Sequence, residues 1–317
     1  MNNIMRFLKF DLSKNHFTHT YSIVARDPKT GEMGVGVQSH YFSVGSVVSW
    51  GESGIGVVAT QSFVNKSFGL RGLDLLKQGK SPQEALDQLL SEDNGREVRQ
   101  LAILDAKGRV AVHTGSKCIK YAGHHKGDNF SVQANLMLSD KVWPSMAKEY
   151  EKNKDLPLPE RIVKALEAAE KEGGDIRGKQ SAALLIVKGE PVENRWDDPM
   201  IDIRVEDHKE PLRELNRLLK LWRAYECLDK GDQALEKGDI KRACAEYDTA
   251  RKMFPHDLEM MYWTAVTLAN NKKLDESLPL FEEVFSKDNN WRLLTERLPE
   301  AGLLSLNEDD LKRILTL

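Results

Sequence analysis

Before residue 210 the chain alternates between short strand patterns and pairs of helical patterns. Four strands are predicted between residues 18 and 62, where β-branched and aromatic residues are separated by glycine and turn residues. Further strands are predicted at 99–104, 110–114, 131–136, 181–187 and 201–205, and helices at 66–78, 81–90, 139–152 and 159–171. Because antiparallel runs of strands are separated by paired helices, the pattern favours a layered α+β domain over a doubly wound parallel sheet.

From residue 210 onward a helical period replaces the strand patterns and includes a 34-residue repeat. One unit begins at Ala224 and a second at Leu258. The matching positions are Gly231, Ala243, Tyr247, Ala250 and Pro255 in the first unit, and Ala265, Ser277, Phe281 and Val284 in the second. The pattern resembles the tetratricopeptide repeat, in which small residues let paired helices cross closely. Two units are fewer than such arrays usually need, so flanking helices are expected at 211–224 and 291–315.

The composition of the 317 residues narrows the functional classes. Acidic and basic residues are interspersed with a formal net charge of −3, so neither nucleic acid nor a membrane surface is an expected partner. Three widely spaced cysteines without a CxxC pair predict a reducing, cytoplasmic compartment. Residues 1–19 lack the apolar core of a signal peptide and are expected to be a poorly ordered extension. Neither GxGxxG nor a P-loop is present, and no cofactor is predicted.

The strand-rich region carries several recognisable motifs. The run TYSIVARDPKTGEMGVGVQSHYFSVGSVVSW, which starts at Thr20, is followed by GIGVVATQS, GLRGLDLL, QANLML and GKQSAALLIV. Over residues 20–208 these motifs resemble a largely bacterial family of uncharacterised proteins with an N-terminal-nucleophile (Ntn) hydrolase-like fold. The resemblance implies a four-layer αββα sandwich, distantly similar to proteasome subunits. The expected organisation is therefore an extension (1–19), an Ntn-hydrolase-like domain (20–208) and an all-α tetratricopeptide-like helical domain (209–317).

Thr20 is the candidate nucleophile that this resemblance implies. A threonine hydroxyl needs a base beside it, and in Ntn enzymes that base is the residue's own α-amino group. A free α-amine titrates near ~8, whereas a peptide nitrogen cannot accept the proton. Nineteen residues precede Thr20, and His19 stands where Ntn precursors that cut themselves commonly have a small residue. Thr20 is thus either a nucleophile that requires processing or an ordinary strand residue.

Other strand ends supply further candidates by the same analogy. Ser39 and His40 are expected near Thr20, where a protonated histidine would lower the pKa of the nucleophile. Side-chain amides on other strands would stabilise an oxyanion, or they satisfy backbone groups instead. The oxyanion candidates are Asn135 and Gln180, with Ser181 beside them, and the candidates for substrate binding are Gln61, Arg71 and Arg177. The two arginines would bind a carboxylate, or they are solvated surface residues.

Two other residue sets favour packing or solvent over chemistry. The spacing of His113, His124, His125 and Asp128 matches no metal motif, so no metal site is predicted. The tryptophans are expected in cores and between the domains rather than on a stacking surface. They are Trp143, Trp196, Trp222, Trp263 and Trp291.

These observations support functions from different classes. As an enzyme, the protein would hydrolyse an amide bond of a small molecule or peptide, with Thr20 attacking after processing. As a non-catalytic scaffold, it would bind a peptide or protein partner through the helical repeats, with the sandwich an inactive platform. In a third hypothesis the repeats cap the sandwich or mediate oligomerisation. The resemblance to Ntn sandwiches, which often associate, implies a homo-oligomer.

Overall fold

The computed structural model describes residues 16–317, which form two compact units. One unit ends at Arg217 and the other comprises Leu218–Leu317, so the division falls within one long helix. Residues 16–18 form a strand, although the sequence predicts a poorly ordered extension there. The rest of that prediction, at 1–15, lies outside the described residues. Within 16–317, no helix is long and apolar enough to cross a membrane.

The first unit contains two antiparallel sheets, which confirms the mixed α+β class. The first sheet has the strand order β1 (His16–Thr18), β5 (Gly56–Val64), β6 (Arg99–Asp105) and β7 (Val110–Thr114), and β4 (Ser49–Glu52) also pairs with β5. The second sheet has the order β11 (Ile201–Val205), β10 (Ser181–Val187), β3 (Met33–Ser39), β2 (Thr20–Arg26), β9 (Phe130–Ala134) and β8 (Gly123–Gly127). The chain therefore enters the second sheet at Thr20.

The main core lies between the two sheets. Alternate residues of each strand point into it, as the period of two requires. The second sheet contributes Val24 and Val35, and the first contributes Val57 and Leu104, all fully buried. A short helix, α1 (Gly45–Val48), closes one side of this core.

Pairs of helices cover the outer faces of the sheets. On the first sheet these are α2 (Ser67–Lys77) and α3 (Pro82–Ser91), and on the second they are α4 (Val142–Lys152) and α5 (Leu158–Lys171). A capping box begins α3: the Ser81 side chain accepts from the Glu84 N–H, and the Glu84 carboxylate accepts from the Ser81 N–H. Each pair of helices thus buries an apolar face against one sheet.

Some local predictions are wrong. The strands predicted between 18 and 62 are present, but α1 interrupts them, because Val44 and Val47 lie at helical spacing and both face the core. The sequence does not predict β8, because GHHKG is polar and has no strand pattern, and the structure shows that this strand is mostly exposed. Trp196 is 83% exposed, so the expected packing is wrong for that residue.

The second unit is helical, as the repeat predicts. Its elements are the C-terminal part of α6 (Pro211–Glu236), then α7 (Ile240–Met253), α8 (Leu258–Asn270), α9 (Leu274–Lys287), α10 (Asn290–Arg297) and α11 (Glu308–Leu315). The repeat positions Ala243, Tyr247 and Phe281 are buried in its cores. A Cβ atom at Gly231 would lie 2.8 Å from the Tyr247 ring, which shows why a small residue is required there.

Gly36 on β3 offers a test of the packing between α5 and the second sheet. A Cβ atom at Gly36 would overlap Cγ2 of Ile162 and lie 3.1 Å from Leu166 Cδ1. We expect Gly36→Ala to lower the free energy of unfolding by about 1–3 kcal/mol, the usual cost of overpacking. Chemical denaturation of the full chain measures this.

The control is the same substitution in an Ile162→Ala background. Removing the Ile162 side chain relieves the overlap, so Gly36→Ala should then cost less than it does in the parent chain. Equal costs in the two backgrounds would contradict the proposed contact.

Candidate functional site

The candidate site lies where the chain crosses from one sheet to the other. β1 belongs to the first sheet and β2 to the second, and His19 is the single residue between them. Thr18, His19 and Thr20 are all buried. The crossing therefore places the peptide bond between His19 and Thr20 inside the protein, at one end of the core between the sheets.

Apolar side chains give way to polar ones at this end of the core. The inward-facing row of β6 runs from Leu104 through Ala102 to Gln100, and that of β5 runs from Ala59 to Gln61. A layer of buried polar side chains, the carboxamide layer, lies at this end of the core. Its members are Ser22, Gln61, Gln100, Ser131, Gln133 and Asn135. Because buried polar groups need partners, these side chains hydrogen-bond to one another and to the backbone.

Two side chains donate to the carbonyl oxygen of His19. Ser39 Oγ lies 2.5 Å from it and Arg177 Nη2 lies 2.9 Å from it. Arg177 is held in place by Asp175, through Nε–Oδ1 and Nη2–Oδ2 contacts of 3.0 and 2.7 Å. The Asp175 carboxylate is buried and also accepts from the His40 N–H at 3.1 Å. A guanidinium and a hydroxyl thus polarise the carbonyl of the peptide bond that precedes Thr20.

The polar groups of Thr20 are also fixed. Its hydroxyl donates to the Thr18 carbonyl oxygen at 2.9 Å. Its own carbonyl oxygen accepts from the Asn135 backbone N–H at 3.1 Å, from Asn135 Nδ2 at 3.4 Å and from Gln61 Nε2 at 3.3 Å. Asn135 and Gln61 therefore hold the residue from the carbonyl side and leave the hydroxyl facing the chain that precedes it.

Gln100 sets the orientation of the carboxamides. Its Nε2 donates to the carbonyl oxygens of Ala134 and Gly123 at 2.9 and 3.1 Å. A carbonyl oxygen only accepts, so Oε1 of Gln100 must face the other side, where Gln61 Nε2 and Asn135 Nδ2 donate to it at 2.7 and 2.9 Å. This leaves Oδ1 of Asn135 as an acceptor directed at His19. The sequence assigns no role to Gln100, although a period of two places it on the same face as Ala102.

The imidazole of His19 has a defined tautomer for this reason. Its Nδ1 lies 2.8 Å from Asn135 Oδ1 and must carry the hydrogen, because that oxygen can only accept. Burial lowers the pKa of His19 below its usual value, and the positive charge of Arg177 lowers it further. The hydrogen bond to Asn135 and the negative charge of Asp175 act in the opposite direction and raise the pKa. The Phe63 ring packs against the imidazole edge to face, with centroids 5.7 Å apart. The ring is therefore enclosed, and its lowered pKa favours the neutral form at neutral pH.

Two residues beside the site have a left-handed backbone that non-glycine residues rarely adopt. Ser62 has φ +70° and pairs with Thr18 across the first sheet, and Leu136 has φ +60° and follows Asn135. Such conformations cost about 1–3 kcal/mol each and tend to lie at functional sites. Both residues lie at the end of the core where Ser39 and Arg177 contact the His19 carbonyl oxygen.

Two predicted site residues have their side chains outside this cluster. His40 contributes its backbone N–H to Asp175, but its side chain is exposed. Arg71 lies on α2 and pairs with the exposed Glu92. A histidine cation beside Thr20 and a carboxylate-binding role for Arg71 therefore have no support in the geometry.

Gln180 and Ser181 also make contacts of a different kind. Gln180 Nε2 donates to Asp207 Oδ1 at 3.1 Å, so its amide is bound to a carboxylate outside the cluster around Thr20. Ser181 Oγ donates to the carbonyl oxygen of Tyr41 at 2.5 Å and accepts from the Val44 N–H at 3.0 Å. Ser181 thus fixes the loop that leads into α1, and the expected oxyanion role of Gln180 does not agree with its position.

His124 on β8 lies at the end of a chain of hydrogen bonds that begins at Gln100. Thr114 Oγ1 accepts from Gln100 Nε2 at 2.9 Å and lies 2.8 Å from His124 Nδ1. Burial lowers the pKa of His124, and the neighbouring His113 and His125 lower it further. Among the described residues, no three His, Cys, Asp or Glu side chains are grouped so that they could hold a metal ion.

Comparison with known proteins agrees with this organisation. The model of a family of unknown function (DUF1028) matches residues 20–215, and a tetratricopeptide repeat model matches residues 228–289. A crystal structure of a protein from Silicibacter pomeroyi with the same family model is 30% identical, with a TM-score of 0.57, over 64% of this chain and 88% of that one. No curated protein matches the chain. The first model spans more than half of the sequence, and we conclude that the chain belongs to the family of unknown function (DUF1028), with tetratricopeptide repeats following the family domain.

Proposed function

We propose that the protein is an Ntn-type amidohydrolase whose nucleophile is Thr20 once residues 1–19 are removed. In this proposal residues 20–208 form the four-layer αββα sandwich and residues 209–317 form the helical domain. The two facing sheets, each covered by a pair of helices, support the layered fold. The substrate is an amide of a small molecule or a peptide.

One observation carries the proposal: two donors converge on the carbonyl of the peptide bond that precedes Thr20. Ser39 Oγ and Arg177 Nη2 hold the His19 carbonyl oxygen at 2.5 and 2.9 Å. Donors in this position would stabilise the negative charge that develops on that oxygen when a nucleophile attacks the carbonyl carbon. The donors differ from those expected from the sequence, because Asn135 Nδ2 is used by Gln100 and Gln180 points elsewhere.

The first reaction is cleavage of the chain by its own hydroxyl. Thr20 Oγ1 attacks the His19 carbonyl carbon, and the resulting oxyanion is bound by Ser39 and Arg177. The carbon–nitrogen bond then breaks, the hydroxyl proton ends on the Thr20 nitrogen, and the acyl group of His19 remains as an ester on Oγ1. Water hydrolyses the ester and releases residues 1–19 with a new carboxylate. Thr20 is left with a free α-amine, the base that its hydroxyl lacked.

In the cleaved enzyme the same groups act on an external amide. The α-amine accepts the proton of Oγ1. Ser39 and Arg177 bind the substrate oxyanion at the position that the His19 carbonyl oxygen occupied before cleavage. Asn135 and Gln61 continue to hold the Thr20 carbonyl, which keeps the nucleophile in place. Their role is therefore to position Thr20.

The test is the intact mass of the purified full chain during incubation at neutral pH. We expect the parent chain to lose residues 1–19, Thr20→Ala to stay intact, and Thr20→Ser to be cleaved, because serine retains the hydroxyl. Ser39→Ala removes one donor to the oxyanion and should slow cleavage by about 10²–10³-fold.

Thr18→Ala is the matched control, because it removes a neighbouring buried hydroxyl that takes no part in the reaction. It should be cleaved at the parent rate. A parent chain that keeps residues 1–19 under all conditions, including in its native host, would contradict the proposal, and so would equal cleavage of Thr20→Ala.

A second function belongs to the helical unit, where the tetratricopeptide repeat match indicates protein contacts. α7, α8 and α9 enclose a cavity of ≈ 300 Å³. It is lined by Arg251, Thr264, Thr267, Leu268 and Lys273, among others, so apolar and charged groups are both available to a peptide. Repeat arrays of this kind commonly bind extended segments. We propose that this cavity binds a protein partner.

Leu268→Glu tests this second function. Leu268 lines the cavity and is half-buried, so a carboxylate there would be desolvated by a bound segment. We expect recovery of partners cross-linked to the tagged full chain in its native host to fall by about ten-fold. Lys241→Glu, an exposed change outside the cavity, is the control. Partner recovery that is lost only when the first unit is disrupted would contradict this function.

A further inference from the structure

The chain approaches Thr20 as an extended strand, which residues 16–18 form against β5. We propose that residues 16–19 occupy the acyl-side groove of the substrate, and that the substrate is an extended peptide with a neutral hydrogen-bonding side chain, imidazole or carboxamide, before the bond that is cut. This inference rests on the proposed function, because the groove opens only when residues 1–19 leave.

The chemistry of the two reactions requires a shared groove. In self-cleavage, Thr20 Oγ1 carries the acyl group of His19 as an ester. In turnover, the same oxygen carries the acyl group of the substrate as an ester, and water releases it in the same way. Both acyl carbonyls need the donors Ser39 and Arg177, so the chain that leads up to each carbonyl must approach along the same path.

The backbone on that path is arranged for an extended peptide. β1 pairs antiparallel with β5, in the register His16–Val64 and Thr18–Ser62, and among the strands of residues 16–317 it is the end strand of its row in the first sheet. When β1 departs, the backbone of residues 62–64 has no other described strand on that side. An extended peptide would restore the lost ladder, which is the usual way in which exposed sheet edges bind chains.

The side chain before the cut bond enters a closed, selective pocket. The imidazole of His19 is only 3% exposed and lies between Asn135 Oδ1 and the Phe63 ring. Since Gln100 fixes the Asn135 amide, Oδ1 can only accept a hydrogen bond. Imidazole, glutamine and asparagine side chains can donate to it. Leucine would leave the oxygen unsatisfied, and aspartate would place a second carboxylate near Asp175.

Among the residues that the structure describes, Arg177 and Asp175 are charged groups that act on the ring in this pocket, and they are paired with each other. Burial lowers the pKa of the ring bound there below its usual value of 6.5. A free histidine peptide is mostly protonated below pH 6.5, and the lowered pKa in the pocket disfavours binding of the protonated ring. Its binding therefore weakens as the pH falls below 6.5, while binding of a glutamine peptide has no such dependence.

The experiment uses the chain that begins at Thr20 and the 4-nitroanilides of acetyl-Phe-Thr-His, acetyl-Phe-Thr-Gln, acetyl-Phe-Thr-Leu and acetyl-Phe-Thr-Asp. We expect kcat/KM for the histidine and glutamine peptides to exceed that for leucine and aspartate by about 10–10²-fold. The matching peptide acids, titrated separately as ligands, should bind in the same order. The ratio of histidine to glutamine binding should fall as the pH drops below 6.5.

The outcomes separate this inference from the proposed function. Binding in the expected order without hydrolysis of any anilide would overturn the hydrolase and support the groove. Hydrolysis with equal kcat/KM for histidine, glutamine and leucine would overturn the groove and support the hydrolase.

A second measurement does not require the shortened chain to fold. In the full chain with Thr20→Ala, residue 19 acts as a tethered ligand of the pocket. His19→Gln should unfold at nearly the parent denaturant concentration, and His19→Leu at a clearly lower one. The same pair of changes at the exposed His256 is the control and should give equal midpoints. A leucine variant at residue 19 as stable as the glutamine variant would overturn the proposed selectivity.

Discussion

The carboxamide of Gln100 joins the two sheets at the end of their core where apolar side chains stop. It donates to two carbonyl oxygens near the second sheet's edge and accepts from Gln61 and Asn135. An unsatisfied polar group at this depth would cost about 1–3 kcal/mol, so the layer is favourable only when complete. The need to pair every polar group of the layer restricts how β5 and β6 of the first sheet lie over β2 and β9 of the second. It also dictates which way every amide in the layer points.

The geometry of the site follows from that orientation. Asn135 presents its oxygen to His19, which sets the tautomer of the imidazole, and its nitrogen to the Thr20 carbonyl. On the other side, the buried carboxylate of Asp175 aims Arg177 at the His19 carbonyl. The crossing residue is thus held by its side chain and its carbonyl together. The contacts of Ser39 and Arg177 with the His19 carbonyl oxygen therefore hold the chain in place and also polarise the peptide bond between His19 and Thr20.

The regular elements could be read from the sequence because they depend on local pattern. Most helices and strands of the first unit agree with the predicted positions, and the repeat positions Ala243, Tyr247 and Phe281 are buried as the 34-residue period requires. Elements without a strong pattern could not be read in this way. β8 is polar and takes its strand conformation from pairing with β9, and α1 depends on packing of Val44 and Val47 against the sheets.

The sequence by itself determined the α+β class, the helical repeat unit, and the concentration of polar residues at strand ends near Thr20. Tertiary structure alone decided which of those residues act together. It brought Ser39 and Arg177 to one carbonyl, turned Gln180 and Arg71 toward carboxylates elsewhere, and made the unpredicted Gln100 the centre of the layer. The physical reason is that a hydrogen bond depends on distance and direction between atoms far apart in the chain. Local patterns indicate the face of a strand on which a side chain lies. The packing of the two sheets decides which partner that side chain contacts.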